Sequence, residues 1–218
     1  KPHLAMRLKA LFPKLNKGEF GKLTFRVTPE SCVDLRWFLL RYPMAITDDH
    51  RDIMEAYAGD HEDDLAAMDR MMAPDYTPRT FALAKPLRNY QSRAVEVHRR
   101  AKALLIADQL GLGKTVTAIG TFSDGDTLPA LVVCPTHLAL QWQRFLAEFL
   151  PSATTHIVRT GKLYEIAAVD VVIITYSKLA KWGDLFSAGR FKSIVFDECQ
   201  ELRRCESQKH KAARAIRE

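Results

Sequence analysis

The stretch ADQLGLGKT, residues 107–115, has the residue types and spacing of a phosphate-binding turn. Gly111 and Gly113 would let the backbone N–H groups of the turn approach an anion without a side chain in the way. Lys114 would place a mobile positive charge on the β and γ phosphates of a nucleotide, and the Thr115 hydroxyl would bind Mg²⁺. The predicted nucleotide contacts in this turn are Gly111, Leu112, Gly113, Lys114 and Thr115.

Such a turn is positioned by a strand before it and a helix after it. The apolar run Ala103–Ala107 predicts a buried strand, and a helical pattern begins at Val116. The complete pattern, GxxxxGK followed by Ser or Thr, has a glycine where this chain has Asp108, so an ordinary glycine turn is the alternative. The order of strand, turn, GKT and helix favours the phosphate-binding turn.

A second group of reactive side chains lies in KSIVFDECQEL, residues 192–202, where Asp197 and Glu198 follow an apolar strand. Ligands of open α/β sheets bind at the carboxyl ends of the strands, so both carboxylates are expected there. Asp197 suits a Mg²⁺ ion and its waters, and Glu198 suits a role in orienting the attacking water. Together with GKT earlier in the chain, the acidic pair predicts phosphoryl transfer to water.

The chain around these residues alternates between strand and helix patterns. Strands are predicted at Ala130–Cys134, Val169–Thr175 and Ser193–Phe196, and helices from Leu87 to about Arg100, at His137–Leu150 and at Tyr176–Trp182. This alternation predicts an α/β fold with a parallel sheet and helices on both faces.

The first 80 residues show a different organisation. A strand is predicted at Leu23–Val27, a helix at Cys32–Arg41 with Ser31 as its N-cap, and two short helices around Gly59 in an acidic segment. Prolines then punctuate a linker. We therefore predict a small α+β accessory domain over residues 1–80 and the nucleotide-binding domain over residues 81–218.

Composition sets limits on the kind of protein. No run of about 18 apolar residues or signal-peptide layout occurs, so a membrane protein and a secreted protein are not expected. The four cysteines form no CxxC pair, which favours a reduced, intracellular protein. The net charge is +6, and residues 81–218 hold 20 basic and 13 acidic residues, which is compatible with polyanion binding or with an ordinary basic surface.

Five segments, in order and spacing, resemble the motifs of superfamily-two helicases, and they are most similar to the Swi/Snf-type DNA translocases. The segments are LRNYQ (Q motif), ADQLGLGKT (motif I), LVVCPTHLALQWQRF (motif Ia), VVIITYSKL (near motif Ib) and IVFDECQEL (motif II). The resemblance implies a RecA-like lobe that uses ATP and Mg²⁺. It further implies that Gln91 reads the adenine edge, with Arg88 and Tyr90 beside it, and that Asp197 and Glu198 serve hydrolysis.

The same resemblance places Pro135, Thr136 and Thr175 near a nucleic-acid backbone, where hydroxyl and N–H groups hold phosphates without reading sequence. The residues themselves do not distinguish DNA from RNA, and the resemblance implies double-stranded DNA as the partner. Trp142 and Phe145 are interpreted as helix core rather than as base-stacking platforms. Gln200 stands where related motifs have His, which leaves its role open.

Helicase motors of this kind hold ATP between two RecA-like lobes, and motif II here is followed by only a short segment. We therefore expect a fragment or one half of a split motor, with the second lobe elsewhere. The alternative is a stand-alone nucleotide- or DNA-binding regulatory module without turnover. A P-loop ATPase unrelated to helicases is disfavoured by LRNYQ and by the CPT segment.

Overall fold

The structure is a computed structural model that describes residues 2–12, 16–17, 23–24, 26–186 and 189–217. The chain divides into two compact units, Lys1–Pro74 and Asp75–Glu218. None of the helices in the described part of the chain is long and apolar enough to cross a membrane.

The first unit is mostly helical. Its elements are α1 (Pro2–Leu11), β1 (Asn16–Lys17), β2 (Leu23–Thr24), α2 (Pro29–Arg41) and α3 (Asp48–Met72), and β1 pairs antiparallel with β2. The strand predicted at Leu23–Val27 is therefore shorter in the described residues. Arg26 and Val27 are not in a strand, and Phe25 lies outside the described residues.

Helix α2 begins earlier than its sequence pattern indicated. Its N-cap is Thr28, whose hydroxyl accepts a hydrogen bond from the Ser31 N–H at 3.2 Å, while the Ser31 hydroxyl accepts one from the Thr28 N–H at 2.9 Å. The prediction of Ser31 as N-cap is wrong, because Ser31 is the third helical residue of this reciprocal capping box. Pro29 fits the first turn because it has no N–H that would be left unpaired.

Helix α3 is one helix of 25 residues, so the prediction of two short helices around Gly59 is wrong. A glycine inside a helix costs only about 1 kcal/mol relative to alanine, and packing offsets that cost here. Met54 and Ala58 are buried against α2 in a cluster that includes Cys32, and Arg36 of α2 forms ion pairs with Glu55 and Glu62 of α3.

The second unit contains a parallel sheet covered on both sides. Its elements are α4 (Asn89–Ala101), α5 (Lys114–Gly120), β3 (Ala130–Cys134), α6 (Ala139–Phe149), β4 (Thr155–Ile157), β5 (Val171–Thr175), α7 (Tyr176–Phe186), β6 (Ser193–Phe196) and α8 (Gln208–Arg217). The strand order is β4-β5-β3-β6, and every pair is parallel. The predicted α/β architecture is confirmed.

Alternation along the strands divides the core into two layers. One face of the sheet, which includes Val132 and Ile173, packs with Trp142 and Leu146 of α6. The opposite face packs with Leu179 and Trp182 of α7. The strand residues on that opposite face are Leu131, Val133, Val172 and Ile174. Each residue of β3 and β5 is buried, as expected for central strands of a parallel sheet.

The predicted strand at Ala103–Ala107 is absent. These residues are not hydrogen-bonded into the sheet, and Leu105 is 74% exposed. An apolar run becomes a strand only when a neighbour supplies its backbone hydrogen bonds, and none of the described strands pairs with this one. The segment also has little β propensity of its own, since Ile106 is its single β-branched residue.

Close packing joins α4 to α5 below the phosphate-binding turn. Gly120 lies where a Cβ atom would come within 2.8 Å of methyl groups of Leu87 and Val95. The segment before α4 is fastened to the same helix, because the Glu96 carboxylate accepts hydrogen bonds from the Tyr76 hydroxyl at 2.8 Å and the Arg79 N–H at 3.2 Å.

Candidate nucleotide-binding site

The phosphate-binding turn adopts the backbone shape that its glycines predict. Gly111 and Gly113 have φ values of +85° and +75°, a region that favours glycine. A Cβ atom at Gly113 would also lie 2.8 Å from the Gln91 side-chain nitrogen. Asp108 is not among the described residues with positive φ, so the position where the full motif has glycine does not require one in this chain.

Lys114 is the first residue of α5, and its side chain folds back over the turn. Its ammonium group donates hydrogen bonds to the carbonyl oxygens of Asp108 at 2.9 Å and Gln109 at 3.3 Å. These carbonyls belong to exposed residues. A bound phosphate would therefore compete with weak, solvent-accessible partners for a full positive charge.

The predicted adenine contacts lie directly beside this turn. The Tyr90 hydroxyl donates to the Leu112 carbonyl at 2.7 Å, and the Gln91 amide nitrogen donates to the carbonyls of Leu112 at 3.3 Å and Gly113 at 3.4 Å. The Gln91 amide oxygen accepts from the Arg88 N–H at 3.0 Å, and the side chain is only 5% exposed. Gln91 is thus a brace between α4 and the phosphate-binding turn, a role that the sequence did not reveal. Its contact with adenine stays a prediction.

Asp197 follows β6 and is fixed by hydrogen bonds on both carboxylate oxygens. Oδ2 accepts from the Trp142 indole N–H at 2.7 Å, and Oδ1 accepts from the Glu198 backbone N–H at 3.0 Å. The Asp197 N–H donates to the Val133 carbonyl, and its own carbonyl accepts from the Tyr176 hydroxyl, each at 2.9 Å. The group predicted to hold Mg²⁺ therefore has a defined orientation.

Glu198 has a left-handed backbone conformation, with φ of 52° and ψ of 51°. Such a conformation is unfavourable for a residue with a Cβ atom and is found preferentially at functional sites. The Glu198 carboxylate accepts a hydrogen bond from the Gln200 side chain. Gln200, in the position where related motifs have His, thus acts directly on the predicted hydrolytic carboxylate.

Two neutral groups, the Cys134 thiol and the Tyr176 hydroxyl, lie close to Asp197. Burial, with the nearby Asp197 charge, raises the pKa of the Cys134 thiol to about 12. Burial also raises the pKa of Tyr176, and the nearby Asp197 carboxylate acts in the same direction. Both groups stay protonated at neutral pH, so Tyr176 remains a donor to the Asp197 carbonyl.

The oxygen groups present suit Mg²⁺. This ion is typically held by one or two carboxylates together with waters and substrate phosphates, and not by a cage of protein ligands. Asp197 and the Thr115 hydroxyl are the oxygen groups predicted to serve as ligands of that kind. Within the described ranges, no three His, Cys, Asp or Glu side chains cluster as a metal site.

The predicted nucleic-acid contacts follow β3 and β5. Pro135 precedes a 3-10 turn at Thr136–Leu138, and Thr136 is exposed. Thr175 is only 2% exposed, and its hydroxyl shares a hydrogen bond with Ser177 at 2.9 Å and accepts one from the Lys178 ammonium at 3.2 Å. In the helical turn that follows, Ser177 is exposed and Lys178 is half-buried, and neither was among the predicted contacts.

A glycine turn braced by a glutamine, and an Asp-Glu pair at the carboxyl edge of a parallel sheet, define a P-loop nucleotide-binding domain of RecA-like fold. The chain belongs to the SNF2-related domain family, whose model matches residues 35–218. The resemblance to Swi/Snf-type helicases is thereby confirmed.

Individual relatives agree with this assignment. The chain is 30% identical over 145 residues to an uncharacterized ATP-dependent helicase of Mycoplasma pneumoniae, covering 60% of this chain and 14% of the relative. It is 29% identical over 168 residues to the SWI/SNF-related matrix-associated actin-dependent regulator of chromatin subfamily A-like protein 1 of Xenopus laevis, covering 75% and 17%.

A similar fold occurs in the Sulfolobus solfataricus SWI2/SNF2 ATPase core in complex with dsDNA. The TM-score is 0.59 at 25% sequence identity, and the match covers 65% of this chain and 32% of that one. The chain therefore spans about a third of that solved core and less than a fifth of the curated relatives.

Proposed function

We propose that this chain forms the first RecA-like lobe of an ATP-dependent, Swi/Snf-type DNA translocase motor. The observation that carries the proposal is the braced phosphate-binding turn, in which Tyr90 and Gln91 hold the carbonyls next to Lys114. The hydrogen bonds of Gln91 thus join the segment that we propose selects the nucleotide to the turn that we propose binds its phosphates. Family membership supports the same conclusion.

In this proposal each group has a defined task. Gly111, Leu112 and Gly113 present backbone N–H groups to the phosphates, and Lys114 neutralises the β and γ oxygens. Mg²⁺, when bound, screens the phosphate charge and polarises the transferred group. Thr115 and Asp197 are the oxygen groups that would hold the ion.

Hydrolysis needs a group that acts on the attacking water. Glu198 is the proposed base, and Gln200 orients its carboxylate through the hydrogen bond already described. A donor on a carboxylate lowers its basicity, so we expect this bond to loosen when the water is activated. A second RecA-like lobe, as in two-lobed motors, would supply the arginine groups that stabilise the transition state.

Nucleic acid is proposed to lie along the carboxyl ends of β3 and β5, in contact with Pro135, Thr136, Ser177 and Lys178. Thr175 would act by holding Ser177 and Lys178 in place. The solved Sulfolobus relative is described with double-stranded DNA, which supports DNA as the partner. An intracellular, reducing location fits this partner and the four free cysteines. The first unit is proposed as an accessory domain of the motor.

The DNA-binding part of the proposal is tested by fluorescence anisotropy with labelled duplexes of unrelated sequence at several salt concentrations. Backbone contacts predict similar affinity for each duplex and a steep decrease with salt, and Lys178→Ala should reduce the slope by about one. Lys85→Ala is the matched control, because Lys85 is an exposed lysine that pairs with Glu148. Binding without salt dependence, or equal effects of the two variants, would contradict this surface. Tight binding of nucleotide and DNA by the full-length protein without any turnover would instead establish the regulatory alternative.

A further inference from the structure

The indole N–H of the core residue Trp142 is hydrogen-bonded to a carboxylate of the candidate site. Trp142 is 1% exposed and packs in the layer between the sheet and α6, and its indole N–H donates to Asp197 Oδ2 at 2.7 Å. The two residues are 55 positions apart in the chain. A short hydrogen bond from a buried donor to a carboxylate is among the stronger kinds in proteins.

The geometry of the carboxylate shows what this bond controls. Oδ1 is already held by the N–H of the adjacent residue, Glu198. That bond alone leaves the carboxylate free to rotate about it. The indole N–H fixes the second oxygen, so the lone pairs that remain free on Asp197 point in set directions.

Trp182 shows how a buried tryptophan is satisfied without such a role. It is 0% exposed in the opposite layer of the core, and its indole N–H donates to the backbone carbonyl of Thr160 at 3.1 Å. Every buried indole N–H needs a partner. A backbone carbonyl is a sufficient partner for Trp182. The partner of Trp142 is instead the Asp197 carboxylate, which indicates a role for Trp142 at the candidate site.

We infer that Trp142 is a positioning residue that orients the Asp197 carboxylate toward Mg²⁺. This inference rests on the proposed function, in which Asp197 holds the ion. Groups that orient a metal-binding carboxylate from behind typically contribute a factor of about 10 to 100 in metal affinity. Loss of the indole N–H should therefore weaken Mg²⁺ binding more than it weakens the core.

The test measures how much Mg²⁺ strengthens ATP binding. Titration calorimetry with and without Mg²⁺ gives this ratio for the unmodified chain, for Trp142→Phe, and for a chain with 3-benzothienylalanine at position 142. The benzothienyl ring keeps the shape of the indole and replaces its N–H by sulfur, so the fold is retained if phenylalanine disturbs it. We expect the ratio to fall about tenfold in both, while metal-free ATP binding is unchanged. Trp182→Phe, the matched control, should keep the full ratio.

Two outcomes separate the inference from the proposal beneath it. If Asp197→Asn abolishes the Mg²⁺ effect but both replacements at position 142 preserve it, Trp142 is only a core residue and the inference is overturned. If Asp197→Asn also preserves the Mg²⁺ effect, the assignment of Asp197 to the ion fails, and the inference fails with it. An equal loss of ATP affinity with and without Mg²⁺ in the benzothienyl chain would likewise contradict a positioning role.

Discussion

Replacement of Lys114 by alanine should weaken binding of Mg-ATP without unfolding the chain. Among the described residues, the ammonium group donates to the exposed carbonyls of Asp108 and Gln109, and water can replace it there. With ATP bound it would instead make charge-assisted hydrogen bonds to phosphate, and loss of these costs about 1.5 to 3 kcal/mol. The expected increase in Kd is therefore about 12-fold to 160-fold.

Titration calorimetry measures this change directly, and circular dichroism confirms that the fold is retained. Lys192→Ala removes one exposed positive charge from the same unit and should leave the Kd nearly unchanged. Equal affinity of the Lys114→Ala chain and the unmodified chain would refute the assignment of this lysine to the β and γ phosphates. An equal loss in both variants would show that only the overall charge matters.

Three further predictions concern stability and selectivity. Gly120→Ala should lower the free energy of unfolding of the second unit, measured in urea, by about 1 to 3 kcal/mol, since the new methyl group would meet two side chains at 2.8 Å. Gly59→Ala should raise the free energy of unfolding of the first unit by about 0.5 to 1 kcal/mol, since no atom lies within 4 Å of the new methyl group. Changes of the same sign would contradict this contrast. Gln91→Ala should weaken binding of ATP more than binding of GTP, and an equal loss would limit Gln91 to bracing the turn. Burial, with the charges of Arg99 and Lys102, lowers the pKa of His98 in the folded chain. As the pH drops below about 6.5, the unfolded chain therefore takes up the proton first, and the free energy of unfolding should fall. His98→Gln should flatten that part of the pH profile, and an unchanged profile would argue against a buried, neutral imidazole.

Local patterns predicted the central strands well. Long runs of β-branched and aliphatic residues identify β3 and β5, because both faces of these strands are buried. Strand β4 was missed, since its three residues are too few to show a period. The opposite error occurred at Ala103–Ala107, where an apolar run has no paired neighbour among the described strands.

The candidate site likewise has features that local sequence predicts and features that it does not. The backbone conformation of Gly113 and the position of Lys114 at the start of α5 follow from the motif, because the turn and the helix start are local structures. The hydrogen bonds of Trp142 and Tyr176 to Asp197 span 55 and 21 positions. They depend on how α6 and α7 pack on the sheet, so no local pattern contains them. The interpretation of Trp142 as core is confirmed by its burial, but that interpretation left out the donor on its ring.

Steady-state phosphate release tests the central claim most directly. It is measured for residues 1–218 alone and for the full-length protein, each with and without double-stranded DNA. Because an arginine group from a facing lobe typically accounts for about 10³ to 10⁵ in rate, the chain alone should bind ATP but release phosphate orders of magnitude more slowly. In the full-length protein DNA should stimulate release, and Glu198→Gln should abolish it while ATP binding is kept. Rapid, DNA-stimulated release by residues 1–218 alone would contradict the account of this chain as one lobe of a two-lobed motor.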